Sequence, residues 1–63
     1  MNEHVKWYSL KDVSEHLNIG RETIILLIKE QGLPAYKVGN KWRFDIKEVD
    51  IWVKEQHRVT FKD

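Results

Sequence analysis

The segment Asn18-Ile19-Gly20 constrains this chain more than any other, because it interrupts two runs of helical periodicity. On its N-terminal side Leu10, Val13 and Leu17 recur at the spacing of one helix face. On its C-terminal side Ile24, Leu27 and Ile28 do the same. Asn and Gly form turns readily, since both tolerate left-handed backbone. Two short helices joined by so brief a turn containing Gly make a helix-turn-helix signature.

Local signals bound the elements. Ser9-Leu10-Lys11-Asp12 has the spacing of a capping box, with Asp in place of the longer Glu. Tyr8 and Val13 flank it as a hydrophobic staple, and the spacing predicts a first helix over 10–17. A second helix is predicted over 21–31, closed by Gly32 as C-cap and by Pro34, which cannot continue it. Tyr36-Lys37-Val38 and Lys41-Trp42-Arg43-Phe44 alternate apolar and basic residues around Gly39-Asn40, the pattern of a β-hairpin. That alternation predicts Tyr36, Val38, Trp42 and Phe44 inward, with Lys37, Lys41 and Arg43 toward solvent. Asp45-Ile46-Lys47-Glu48 repeats the capping-box spacing, with Phe44 and Val49 as staple. Ile46, Val49, Trp52 and Val53 then predict a third helix over 46–56. Trp42 and Trp52 read as core residues, whereas Trp7 is undecided and could cover the core from an N-terminal arm.

The expected fold is α+β, mainly α: a winged helix-turn-helix with a two-stranded hairpin wing and a C-terminal helix. The expected organisation is an arm over 1–7, a domain over 8–56 and a fraying polar tail over 57–63. A chain of 63 residues holds one small domain, and chains near this length bury only about 60% of their unfolded surface. There is no cysteine for a disulfide or a thiolate metal site. No apolar run approaches the roughly 20 residues of a membrane span, and Met1-Asn2-Glu3-His4 lacks the start of a signal peptide. The expectation is a cytoplasmic protein, nucleoid-associated when bound to DNA.

With 11 basic and 10 acidic residues the net charge is +1, which by itself points to no polyanion. The distribution says more. Between Gln31 and Phe44 the charged residues are Lys37, Lys41 and Arg43, with no acid among them.

In order and spacing, Tyr8-Ser9-Leu10-Lys11-Asp12-Val13, Ile19-Gly20-Arg21-Glu22-Thr23-Ile24, Leu33-Pro34-Ala35-Tyr36-Lys37-Val38-Gly39, Lys41-Trp42-Arg43-Phe44 and Val49-Asp50-Ile51-Trp52 form one set. It resembles the small winged helix-turn-helix domains of the excisionase family, relatives of the N-terminal domains of MerR-type regulators. The resemblance implies that helix 2 enters the major groove while the wing grips backbone or minor groove. It implies double-stranded DNA as partner, self-association or cooperative assembly on DNA, and an integrase or another protein as a further partner. It also implies action as a recombination directionality factor or a transcription regulator. The chain departs from the family pattern at Gly20, where members commonly have Ser. It departs again at Ile25 and Leu26, where they often have Tyr and a basic residue.

The face of helix 2 opposite the apolar stripe carries Arg21, Glu22, Thr23, Ile25 and Leu26. Arg21 suits bidentate reading of guanine O6 and N7, or a phosphate. Thr23 suits a phosphate or a thymine methyl. Glu22 suits the amino group of cytosine, and equally suits the positive end of its own helix. Ile25 and Leu26 admit three readings: contact with thymine methyls, a protein-binding surface, or partial burial. In the wing, Lys37, Lys41 and Arg43 suit phosphates, against the plainer role of charge that guards a sheet edge.

Nothing in the sequence favours catalysis. His4, His16 and His57 are scattered without metal-ligand spacing, and Ser9 and Ser14 lack a base and its orienter. No glycine-rich phosphate loop is present. The expectation is a protein that is not an enzyme and holds no cofactor or metal. The alternative to DNA binding is a protein-interaction module on a winged-helix scaffold, suggested by the near-neutral charge together with Glu22, Ile25 and Leu26.

Overall fold

The computed structural model describes residues 5–60. His4 and the start of the expected arm, and residues 61–63 of the expected tail, lie outside the described residues. The element order is β1 (Trp7–Tyr8), α1 (Leu10–Leu17), α2 (Arg21–Leu26) running on into a π-helical turn (Leu27–Gln31), β2 (Tyr36–Val38), β3 (Lys41–Asp45) and α3 (Ile46–Gln56). The fold is α+β and mainly helical: a helix-turn-helix, a β-hairpin wing and a C-terminal helix.

α1 begins where the capping spacing places it. The Asp12 N–H donates to Ser9 Oγ at 3.1 Å, and the Ser9 N–H donates to the Asp12 carboxylate at 3.0 Å. The shorter Asp therefore closes the box that Glu usually closes. At the other end Asn18 turns left-handed at φ 58°. The Ser14 carbonyl accepts the Asn18 and Ile19 N–H groups, and the Ser14 hydroxyl donates to the Ile19 carbonyl. Ser14 thus pins the turn that defines the motif. α2 starts at Gly20, which offers no side chain to cap it.

The second helix does not stay α-helical to Gln31. From Leu27 its turns widen, and the Leu27 carbonyl accepts both the Gly32 N–H and, at 3.1 Å, the Leu33 N–H. Gly32 stands at φ 82°, a left-handed conformation that glycine adopts without steric cost. The wide turn lets Leu27 and Ile28 pack on the core while Leu33, just past the reversal, is itself buried.

The sheet has three strands in the order β1-β3-β2. β1, to which the sequence pattern assigned no element, pairs antiparallel with β3 through Trp7 opposite Asp45 and Tyr8 opposite Phe44. β2 pairs with β3 through Tyr36 opposite Arg43, Lys37 opposite Trp42 and Val38 opposite Lys41. Gly39 takes φ 63° while Asn40 stays outside the left-handed region, the pattern of a type II′ turn.

This register corrects the expected faces of the wing. Residues directly opposite in an antiparallel pair point to the same side of the sheet, and a two-residue turn makes Val38 and Lys41 opposite. Val38 cannot point inward while Lys41 points outward. Lys37 shares the inner face with Trp42 and Phe44. Tyr36 and Val38 share the outer face with Lys41 and Arg43, and Val38 is 63% exposed.

α3 follows β3 with no intervening residue. Asp45 caps it, its carboxylate accepting the Lys47 N–H at 3.1 Å. The reciprocal half of the expected capping box is not made. Glu48 instead accepts the Tyr36 hydroxyl, at 3.0 Å through Oε1. Residues His57 to Thr60 belong to no helix or strand.

The core is Val13, Ile24, Leu33, Phe44 and Val49, drawn from both helices of the motif, the chain reversal, the central strand and α3. Leu10, Leu17, Leu27, Ile28, Trp42, Ile46, Trp52 and Val53 pack around it. Full burial of such side chains stabilises by about 1.5–3 kcal/mol each. Trp7 is not part of this cluster. It stands half-exposed with its ring edge-on to Tyr36, centroids 5.2 Å apart. Among the described residues no helix is long and apolar enough to cross a membrane.

Candidate nucleic-acid interface

Burial of Ile24 orients α2. Arg21, Glu22 and Thr23 in its first turn are exposed, and Leu26 is 53% exposed. Glu22 and Leu26 lie two residues before and two residues after Ile24. At about 3.6 residues per turn, both point away from the core and stack one above the other. Ile25 is half-buried, so of the three readings open to it and Leu26, partial burial applies to Ile25 alone.

The wing divides its cations between two faces. On the inner face the Lys37 ammonium lies 4.3 Å from the centroid of the Trp42 ring, a cation–π contact that fixes the lysine beside the sheet. On the outer face Lys41 is exposed, and the Arg43 guanidinium folds back so that Nη1 donates to the Trp42 carbonyl at 2.8 Å. The single cationic row expected from the sequence is therefore two rows. Trp7 and Tyr36 flank β3 on the outer face beside Arg43, and these aromatics were not among the expected site residues. The length of the Gly39-Asn40 turn was the signal that could have placed Tyr36 there.

Among the described residues the one contact at ion-pair distance is the hydrogen bond between His16 and Asp50. No described carboxylate lies within ion-pair distance of Arg21, Lys37, Lys41 or Arg43. Their charge is not consumed within the fold, so it can act on an external polyanion. Two other groups do have altered chemistry. The hydrogen bond from the Ser9 N–H, followed by that from the Ser9 hydroxyl, holds the Asp12 carboxyl below its ordinary value. The bond from Tyr36 to Glu48 and the charge of that carboxylate push the Tyr36 phenol above its ordinary value.

A family model described as a helix-turn-helix domain matches residues 7–57. The chain belongs to this family. The match begins at the first residue of β1 and runs to the end of α3, so it takes in the wing and the third helix along with the two helices of the motif. A helix-turn-helix domain is consistent with a DNA-binding, regulatory and non-enzymatic role. No curated protein and no solved structure matches the chain.

Proposed function

We propose that this helix-turn-helix domain binds double-stranded DNA, with α2 in the major groove and the wing on the flanking backbone or minor groove. Arg21, Glu22, Thr23, Ile25 and Leu26 are the contacts from α2, and Lys37, Lys41 and Arg43 those from the wing. The observation that carries this reading is the family match over the whole folded unit, joined to an α2 whose first turn faces solvent. The closer kinship is with excisionase-like and MerR-like domains, and the role is that of a recombination directionality factor or a transcription regulator in the cytoplasm. One copy offers a small footprint, so binding in tandem or with a protein partner such as an integrase supplies the remaining affinity.

The test is titration of labelled duplex at low and at higher salt, with wild type and Arg21→Ala. Phosphate contacts release counterions, so affinity falls steeply as salt rises. Arg21→Ala is expected to weaken the complex by about tenfold or more, the worth of one bidentate base contact. Absence of any complex at low salt, from folded protein, refutes the reading.

A second reading has one observation in its favour. Leu26, a large apolar side chain, is 53% exposed on the outermost line of α2. An interaction module would use it against a protein partner. In that case Leu26→Asp abolishes partner binding while Arg21→Ala does not.

A further inference from the structure

The outermost line of α2 holds an acid and an aliphatic side chain, and neither can serve a phosphate. Glu22 is repelled by one, and Leu26 has no polar atom. If α2 lies in the major groove, as proposed above, these two side chains meet base edges. We propose that they read pyrimidines, with Leu26 packing on the methyl group of a thymine and Glu22 accepting a hydrogen bond from the amino group of a cytosine.

The chemistry of the groove narrows the choice. Guanine presents two acceptors there, N7 and O6, and repels a carboxylate. Adenine sets its N7 acceptor beside its amino donor, so a carboxylate that accepts from the donor is held against the acceptor. Cytosine presents the amino donor without N7. Leu26 can gain only from an apolar group, and among the four bases the thymine C5-methyl alone projects one into this groove. The spacing agrees. Four residues of helix rise about 6 Å, which covers about two base steps of one strand. No described cation lies within ion-pair distance of Glu22, so its carboxylate loses no such partner on meeting a base. Arg21, next in the chain, remains available for a guanine or a phosphate.

The inference rests on the DNA-binding reading, and one experiment separates the two. Duplexes are selected from a randomised pool at low salt. Each thymine of the selected site is then replaced by uracil, which removes only the methyl group. For wild type, one replacement is expected to weaken binding about fourfold, the worth of one buried methyl group. For Leu26→Ala the same replacement is expected to change nothing. Selection repeated with Glu22→Gln is expected to exchange one preferred cytosine for adenine, because the amide reads adenine N6 and N7. Both positions face solvent, and circular dichroism is the check that the variants stay helical. A selected site that tolerates uracil throughout, or that keeps its cytosine with Glu22→Gln, overturns the pyrimidine inference and leaves DNA binding intact. Recovery of no duplex at low salt overturns both.

Discussion

His16 and Asp50 meet at 2.7 Å between Nε2 and Oδ1, tying the last turn of α1 to α3 across 34 residues of sequence. The side chains are 42% and 40% exposed, so water screens the pair. A double-mutant cycle with His16→Ala and Asp50→Ala is expected to give a coupling of about 0.2–1 kcal/mol. Urea unfolding of the four proteins measures it, and additive single effects would show that the contact contributes nothing.

Phe44 is the largest of the fully buried side chains and sits on the central strand. Phe44→Ala is expected to cost about 3–5 kcal/mol. A domain of 63 residues has only about 3–9 kcal/mol in all at typical stability per residue. The variant should therefore lose most of the stability margin, and circular dichroism should show a melting midpoint far below that of the parent. A cooperative melt close to that of the parent would remove Phe44 from the centre of the core.

Gly20 is the N-cap of α2, in extended backbone, and a Cβ added there meets no atom within 4 Å. Gly20→Ser would supply the missing cap and restrict the unfolded chain. A gain of about 0.5–1 kcal/mol in unfolding free energy is expected, read as a higher urea midpoint at unchanged slope. A loss would show that the hydroxyl finds no N–H to accept from.

The Asp12 carboxyl is lowered in the folded protein, first by the Ser9 N–H and then by the Ser9 hydroxyl. Its contribution is therefore complete above the unfolded value and is lost as pH falls through the folded one. Wild type should lose stability below the unperturbed value of 3.8 faster than Asp12→Asn, which cannot titrate. Chemical denaturation at neutral pH and on the acid side makes the comparison. Parallel curves would show that the box carries no proton linkage.

Lys41 lies exposed at the start of β3, next to the turn of the wing. If the wing rests on phosphate, Lys41→Ala should weaken all duplexes alike and reduce the slope of log affinity against log salt by about one. An unchanged slope would place the wing away from the backbone.

What the sequence made legible depended on range. The bounds of α1 and α3 follow from caps and apolar stripes within a few residues of each other, and both helices lie where the spacing predicts. The misses involve partners distant in sequence or a parity carried through a turn. Glu48 has capping spacing, yet Tyr36 competes for its carboxylate from another element. Trp7 and Tyr8 are too few to show periodicity, and only β3 makes them a strand. Tyr36 and Val38 look like core residues in an alternating run, until the two-residue turn sets them on the side of Lys41. In the candidate interface, exposure of Arg21, Glu22, Thr23 and Leu26 followed from the apolar stripe alone. For Ile25, at the margin of that stripe, the sequence left partial burial open beside surface contact, and the structure half-buries it.

Asp45 belongs to two elements at once. It ends β3 opposite Trp7, and it caps α3. No linker separates the wing strand from the helix behind it, so the two behave as a single bent lever with the carboxylate at the elbow. A wing joined in this way has no linker about which to turn relative to α3. Its conformational freedom is spent during folding, so little remains to be lost on association. If the wing meets DNA as proposed, the duplex, with its own shape and deformability, supplies the adjustment of fit.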